Sequence, residues 1–361
     1  PVLAYYDEAG WHPVPFVPWH QPFYQEAGAY HVRVTLPADQ EIASTGTIVS
    51  QEAAPAGFKR VTIACPAARD FCLVCSHRFR EHSASVEGIR VRVLAFPEHE
   101  AMARKALQFA CEAIPLYIRW FGPYPYDEFD IVESYFPWNG NENAGIIQID
   151  HRVFAIPRLA ERYLDHLISH ETLHQWWYNV VGTNGYAETW MDEGLVSYFT
   201  AKRMSLKYGK NFALLELPSW AQAWAPNVHY NDYRLSGLYG TLARGEQTAI
   251  VQPLPKFGHV VTLFSMTYDG GGKIFGMIED RLGELALLDF LRQLYRNYYF
   301  RILHVADFQR ELESYTGRSW HDFFERWLYS VGMTDWAIER VRIQAMTQSG
   351  FSWPVISPRL Y

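Results

Sequence analysis

Several features that define major protein classes are absent from this sequence of 361 residues. No run approaches about 18 consecutive apolar residues, so a membrane-spanning helix is not predicted. The formal net charge is -7 and no long basic run occurs, so nucleic acid and anionic membranes are not expected partners. Four cysteines are too few for a dense disulfide framework, and Cys72 and Cys75 lie in an apolar run that predicts a strand. We expect buried core cysteines there, and the compartment stays open.

Apolar and aromatic residues are abundant instead. Hydrophobic residues make up 49% of the chain and charged residues 20%, which is typical of a globular protein with large cores. The 13 Trp, 23 Tyr and 22 Phe indicate either aromatic cores or an aromatic-lined cleft, and composition does not choose between them. At roughly 150 residues per domain, the length predicts two domains and a piece of a third.

The hydrophobic pattern changes once along the chain. Alternating apolar residues in 29–36 and 89–93 predict strands, so the first 95 residues are expected to be mostly β. The pattern becomes helical after Phe96 and Pro97, which predicts a domain boundary near residue 97. Two strand candidates, 130–136 and 144–150, flank a polar turn at 139–143. Helical patterns are predicted at 98–120, 157–181, 188–208, 270–283, 285–300, 304–315 and 319–331. The expected fold class is therefore α+β.

One short motif carries the chemistry. His170 and His174 enclose Glu171 in the pattern H-E-x-x-H, inside a predicted helix. Positions four apart in a helix lie about 40° from each other, so both imidazoles can bind one ion. A catalytic zinc takes three protein ligands, and Glu193, in the next helical segment, is the candidate for the third. Two histidines and one carboxylate favour Zn²⁺, one per chain, and Glu171 is the candidate general base for amide hydrolysis.

His166 lies one turn before this motif. We interpret it as a packed or solvated helix histidine, because a fourth protein ligand would close the coordination sphere that catalysis needs open.

The zinc motif and its surroundings resemble the aminopeptidase N family of gluzincin metallopeptidases, which includes the leukotriene-epoxide hydrolase. In that family a Trp and then an N-E-G segment follow the zinc motif, and Trp176 and the segment 192–194 occupy those positions here. The family's Y-E-K-G segment is similar to 268–271, which makes Tyr268 the phenol that hydrogen-bonds the tetrahedral oxyanion. Gly270 replaces the Lys of that segment.

The family's G-A-M-E-N exopeptidase signature resembles the polar segment 139–143. The resemblance implies that Glu142 binds the free α-amine of the substrate, with Gly140, Asn141 and Asn143 as further substrate-binding residues. Asn139 replaces the first Gly of the signature and Asn141 its Met. Because the Met position helps to line the pocket for the first side chain of the substrate, the side-chain preference is left open.

The resemblance also implies a domain organisation. Residues 1–96 correspond to the latter part of an N-terminal saddle-like β-domain, 97–336 to a thermolysin-like, mainly helical catalytic domain with a small sheet, and 337–361 to a further β segment or tail. The start of the β-domain and the family's C-terminal helical domain are expected to lie outside this chain, which indicates a fragment or a natural minimal form.

Three hypotheses follow from the sequence. The first is a zinc aminopeptidase acting on peptides with a free N-terminus. The second is a zinc endopeptidase of the same fold, favoured if Glu142 is remote from the metal. The third is a catalytically silent domain that binds a peptide or protein partner. An epoxide hydrolase side activity and the oligomeric state are left open.

Overall fold

The computed structural model describes residues 4–7, 10–14, 16–20, 22, 24–136, 138–156, 158–331, 337–338 and 358–359. Strands dominate up to Ala95 and helices dominate afterwards, so the predicted α+β class is confirmed. The strands are β1 Ala4–Asp7, β2 Gly10–Pro13, β3 Gly28–Pro37, β4 Glu41–Ser44, β5 Thr47–Ala54, β6 Phe58–Ala68, β7 Leu73–Ser76, β8 Arg80–Val86, β9 Ile89–Ala95, β10 Glu128–Ser134, β11 Gly140–Asn143, β12 Ile146–Asp150, β13 Ala213–Leu215, β14 Val228–His229, β15 Ala337–Ile338 and β16 Pro358–Arg359.

The helices are α1 Glu100–Phe121, α2 His151–Phe154, α3 Glu161–Leu173, α4 Trp190–Tyr208, α5 Tyr230–Ala243, α6 Val260–Leu263, α7 Gly271–Leu282, α8 Glu284–Asn297, α9 Val305–Thr316 and α10 His321–Phe324. Two π-helical segments, Phe264–Gly270 and Glu325–Tyr329, continue α6 and α10. Short 3₁₀ turns occupy Pro55–Gly57, Pro97–His99, Arg158–Ala160 and Leu254–Phe257.

A five-stranded sheet has the order β11-β12-β10-β9-β8. Its strand β11 contacts α3, the helix that contains the H-E-x-x-H motif. β10 pairs in parallel with β9 and with β12, and β11 and β8 are antiparallel edge strands. Because β8 and β9 precede residue 97, the hydrogen-bonded sheet crosses the expected domain boundary. The division into 1–96 and 97–336 stays a prediction. The predicted segment 337–361 lies outside the described residues, apart from the short pair β15 and β16.

Side chains on the two faces of this sheet enter two different cores, as the period of two requires. Val91, Val93 and Ile131 pack with α1 and α3, whereas Leu94 and Val132 pack on the opposite face with residues of β4 and β8's preceding turn. α1 contributes Ala103, Ala106, Ala110 and Phe109 to the first core. The sheet therefore holds α3 against one face, with the edge strand β11 beside it.

The largest core lies among the helices and is rich in aromatic residues. Trp176, Trp177 and Trp190 are almost completely buried in it, together with residues of α1, α7, α8 and α9. Aromatic residues thus build the core, and others line the cavity described below. Within the described part of the chain, no helix combines the length and apolarity needed to cross a membrane.

The cysteines are all free. Of the two cysteines expected to be buried in a core, Cys72 is half-buried and Cys75 is exposed, so the expectation is wrong for Cys75. Cys75 lies on β7, which pairs with β4 in a two-stranded sheet.

Candidate metal centre and active site

Three predicted ligand atoms meet where α3 and α4 pack together. His170 Nε2 lies 3.3 Å from His174 Nε2 and 3.3 Å from Glu193 Oε2, and His174 Nε2 lies 3.4 Å from the same carboxylate oxygen. Glu193 sits in the first turn of α4, and the histidines sit at the end of α3. The three side chains expose only 10%, 1% and 13% of their surface.

These separations fit a tetrahedral metal ion. Zn²⁺ binds histidine nitrogen and carboxylate oxygen at about 2.0–2.1 Å, which places two tetrahedral ligands about 3.3–3.4 Å apart. All three observed separations fall at that value. Among the described residues, His170, His174 and Glu193 form the one group of three or more such side chains arranged to hold an ion.

The chain leaves the helix directly after His174, and this exit orients the ligand. His174 Nδ1 lies 3.1 Å from the carbonyl oxygen of Trp177. A proton on Nδ1 donated to that carbonyl leaves the Nε2 lone pair for a metal. Tyr178 has a φ of 113°, outside the helical region. Asn179 Nδ2 then donates to the carbonyls of His174 and Glu142, both at 3.2 Å.

A buried ion pair fixes α3 against α4. Arg203 Nη1 on α4 donates to Asp165 Oδ1 and to Ser169 Oγ on α3, both at 2.7 Å. Lys207 Nζ and Tyr208 OH donate to the other oxygen of Asp165 at 2.6 and 2.7 Å. Because the carboxylate has partners at both oxygens, its burial is compensated, and the pairing aligns the helices that carry the three ligands.

Glu171 is packed against the edge strand β11. A Cβ added to Gly140 would overlap the carboxylate of Glu171 and lie 2.7 Å from its Cγ. Gly140 therefore provides the space that the Glu171 side chain occupies. The structure places the candidate base and the candidate substrate-binding strand in direct contact.

The segment 139–143 was expected to be a polar turn, and this expectation is wrong. Residues 140–143 form β11, which pairs antiparallel with β12. Gly and Asn favour turns, but an edge strand beside a cavity needs few apolar side chains. Asn141 Nδ2 donates to Asn143 Oδ1 at 2.8 Å, and Glu142 and Asn141 line the cavity that contains the three ligands.

Two residues that sequence reasoning missed hold the end of β11. Asp70 accepts from Asn143 Nδ2 and from the Ala144 amide, both at 2.9 Å. Gln175, one residue after the zinc motif, donates to the Asn143 carbonyl at 3.0 Å and accepts from the Gly145 amide at 2.8 Å. Neither has a motif of its own, so only the folded chain reveals them.

Tyr268 reaches the same centre from a third helical segment. Its hydroxyl donates to Glu193 Oε1 at 2.6 Å, and its ring stacks on His170 with centroids 6.1 Å apart. It lies in the π-helical segment Phe264–Gly270, and such segments frequently occur at functional sites. A Cβ on Gly194 would lie 3.0 Å from the Cα of Gly271, so the two helices cross at a pair of glycines.

Burial and neighbouring charges separate the pKa values of the acidic groups at this centre. Burial raises the pKa of Glu142 to about 7, with Glu193 acting in the same direction and His174 against it. Burial raises the pKa of Glu171 well above its usual range, and the charge of Glu142 adds to this. Burial also acts on Glu193, but His174 and His170 outweigh it and lower the pKa. A cation held by the three ligands would favour the ionised forms of Glu142 and Glu171.

His166 and Asp192 have other partners. Tyr230 OH lies 3.0 Å from His166 Nδ1, which fits the expected packed histidine. Asp192 accepts from Thr183 Oγ1 at 2.5 Å and from the Glu193 amide at 2.7 Å. It therefore supports the backbone of the third ligand.

A cavity of about 940 Å³ is lined by every candidate site residue except Asn143. Its lining includes residues that the sequence did not single out, among them His20, Trp138 and Phe264. Arg234 also lines it and pairs with Asp269 at 3.0 Å. The volume is large enough for a peptide of a few residues.

Comparison with known proteins agrees with this geometry. The family described as "Peptidase family M1 domain" matches residues 105–327, a range that contains every candidate site residue. The chain is 23% identical to Aminopeptidase M1-B of Oryza sativa subsp. japonica over 257 residues, which is 69% of this chain and 28% of that protein.

Two further relatives have similar sequence identity to this chain. Endoplasmic reticulum aminopeptidase 2 of Homo sapiens is 22% identical over 226 residues, covering 58% of this chain and 22% of the relative. Leukotriene A-4 hydrolase of Xenopus laevis is 25% identical over 227 residues, covering 62% and 33%. The chain thus matches between 22% and 33% of the length of these curated relatives.

Proposed function

The chain belongs to peptidase family M1, and on this premise we propose that it is a zinc-dependent aminopeptidase that hydrolyses the N-terminal peptide bond of peptides. The thermolysin-like catalytic fold expected from the sequence fits this family. The observation that carries the proposal is that Glu142 lines the same cavity as His170, His174 and Glu193. A carboxylate beside a metal centre can hold a substrate ammonium and thereby select peptides with a free amino terminus.

Each candidate residue has a role that its contacts support. Glu142 binds the α-amine of the first residue, and the Asn179 bond to its carbonyl keeps its backbone beside the end of α3. Glu171 takes a proton from the attacking water and delivers it to the leaving amine. The Tyr268 hydroxyl donates a hydrogen bond to the oxyanion that develops on the scissile carbonyl and keeps its proton. When bound by His170, His174 and Glu193, zinc would supply Lewis-acid polarisation and lower the pKa of the attacking water.

The position of Glu142 favours an exopeptidase over the endopeptidase alternative. The sequence favoured the endopeptidase if Glu142 were remote from the metal centre, and instead Glu142 and Glu193 share one cavity. The catalytically silent alternative needs only a cleft that binds a partner. The three candidate metal ligands and the candidate base in contact with β11 argue for catalysis instead.

The test combines metal content with hydrolysis by the purified chain. We expect one zinc per chain, hydrolysis of leucyl amide substrates and no hydrolysis of their N-acetyl analogues. Glu171→Gln should keep the zinc and lose activity, by about 10²-fold or more, because it removes the proton acceptor. Glu142→Gln should raise KM for free-amine substrates. The surface variant Glu100→Gln, which alters an exposed carboxylate on α1, is the control and should behave as the parent chain.

Other outcomes would overturn the proposal. Equal cleavage of acetylated and free peptides would favour the endopeptidase. Zinc binding without hydrolysis of any peptide would favour the silent domain.

A further inference from the structure

Three aromatic rings from separate parts of the chain meet at one side of the cavity. His20 belongs to the segment before β3, Trp138 precedes β11, and Phe264 begins the π-helical segment. The ring centroids are 6.2 Å apart for His20 and Trp138, 6.0 Å for His20 and Phe264, and 6.1 Å for Trp138 and Phe264. Each pair is edge-to-face, a favourable arrangement for aromatic rings. We call these three residues the aromatic wall.

The residues of the aromatic wall are only partly covered by the rest of the protein. Trp138 exposes 42% of its surface, and His20 and Phe264 are half-buried. All three line the cavity that contains the metal ligands. The wall is also continuous with the catalytic centre, because the Phe264 and Tyr268 rings pack with centroids 4.8 Å apart. Uncovered aromatic surface in a concave site is suited to an apolar side chain of a ligand.

The direction of β11 indicates which part of a peptide faces the wall. Asn139 Nδ2 donates to Tyr163 OH, near the start of α3, at 2.6 Å, whereas the Glu142 carbonyl is bound by Asn179, beyond the end of α3. The strand therefore runs alongside α3, with Glu142 at one end and Trp138 just before the other. An extended chain rises about 3.3 Å per residue, so the four steps from Trp138 to Glu142 span at most about 13 Å.

The position of the base fixes the orientation of the substrate along this strand. Glu171 contacts Gly140, which lies between Trp138 and Glu142. In the proposed reaction Glu171 delivers a proton to the leaving amine, and Glu142 holds the amine of the first residue. The residue after the scissile bond must therefore extend from Gly140 away from Glu142, toward the aromatic wall.

We propose that the aromatic wall binds the side chain of the second residue of the peptide and gives the protein a preference for large apolar or aromatic residues at that position. This inference rests on the proposed aminopeptidase function and adds a substrate class to it. Trp138 is the specificity-determining residue of the wall, because it has the most uncovered surface of the three.

The test uses two series of tetrapeptides and measures kcat/KM from the released amino acid. The first series is Leu-Xaa-Ala-Ala, with Phe, Leu, Ala or Gly as Xaa, and the second is Xaa-Ala-Ala-Ala. For the parent chain we expect Phe and Leu to exceed Gly at the second position by about 10-fold or more, as differences of several methylene groups in an apolar site provide. Trp138→Ala should reduce this ratio to about 2-fold while leaving the order of the first-residue series unchanged.

Two controls separate specificity from folding. Trp138→Phe should retain part of the preference, because an aromatic surface remains. Trp220→Ala removes a Trp that is 75% exposed and is not among the residues lining the cavity, so it should keep the full ratio. Phe264 is unsuitable as the test position because it packs on Tyr268.

The outcomes distinguish this inference from the proposed function. Hydrolysis of peptides with no preference at the second position would overturn the inference alone, as would a Trp138→Ala variant that retains the full ratio or changes only the first-residue preference. Failure of the parent chain to hydrolyse any peptide of either series would overturn the proposed function and this inference with it.

Discussion

Replacing Gly140 with alanine should displace the candidate base without unfolding the protein. The added Cβ would lie 2.7 Å from Glu171 Cγ and would overlap the carboxylate itself. Carbon atoms in van der Waals contact keep about 3.5 Å, so the Glu171 side chain must move by about 1 Å. Gly140 lies in a strand and is not among the glycines with positive φ, so its backbone accepts alanine. The movement therefore falls on the side chain of Glu171.

The expected loss of activity follows from this displacement. A misplacement of about 1 Å in a reacting group costs about 10²-fold in rate, which corresponds to about 2.7 kcal/mol of activation free energy. The loss should appear in kcat, because Gly140→Ala leaves the three metal ligands and Glu142 unchanged. Zinc content and the unfolding temperature should stay close to those of the parent chain.

Steady-state kinetics on leucyl amides, zinc analysis and thermal unfolding check this prediction. Gly28→Ala is the matched control, because a Cβ there meets nothing within 4 Å. A Gly140→Ala variant with the parent kcat would refute the reasoning. So would a loss of activity that is explained by lost zinc or by unfolding.

Further predictions concern stability. Removal of metal by a chelator should lower the unfolding temperature, because a free ion concentration of 100 times the Kd stabilises the folded state by about 2.7 kcal/mol. An unchanged melting curve would contradict a metal site that joins α3 and α4. Gly194→Ala should destabilise the fold by about 1–3 kcal/mol, since the new Cβ would be 3.0 Å from Gly271 Cα, and denaturant unfolding beside Gly272→Ala, whose nearest neighbours are at 3.6 Å, tests this. The Glu188 hydrogen bond raises the pKa of His304 above 6.5, so this contact should stabilise the fold fully below pH 6.5 and lose its effect as pH rises through the folded-state pKa. The stability difference between the parent and His304→Gln should therefore be larger at pH 6 than at pH 9, by less than about 1 kcal/mol, and a difference that grows with pH would contradict this.

The zinc motif was predictable because its spacing depends only on the helical period. The predicted helix 157–181 is observed as α3, which ends at Leu173. The apolar pattern that predicts this helix continues past Leu173 because Trp176 and Trp177 are apolar. In the structure these two side chains enter the core from a non-helical turn. The helix stops where the Trp177 carbonyl is needed by His174, and no local sequence signal encodes that contact.

α5 escaped prediction for a different reason. Its sequence contains Asn231, Asp232, Ser236, Gly237 and Gly240, all poor helix formers, so propensity favours a loop. It is held by tertiary contacts, including packing against the π-helical segment that carries Tyr268. Local propensity therefore could not reveal it.

The strands of the five-stranded sheet show the limit of pattern reading for domains. The period of two in 89–93 correctly predicts β9, but it contains no information on the partner strand. The parallel pairing of β9 with β10, across α1, depends on residues 38 apart, such as Val91 and Phe129. The aromatic wall was hidden for the same reason, because its three residues come from distant parts of the chain.

X-ray absorption at the zinc edge of the purified chain tests the metal assignment most directly. The account predicts one zinc per chain with two imidazole nitrogens and at least one oxygen at about 2.0–2.1 Å, and loss of this spectrum in His174→Ala. A sulfur ligand at about 2.3 Å, which would assign the ion to cysteine, or a protein free of zinc under saturating conditions, would contradict it.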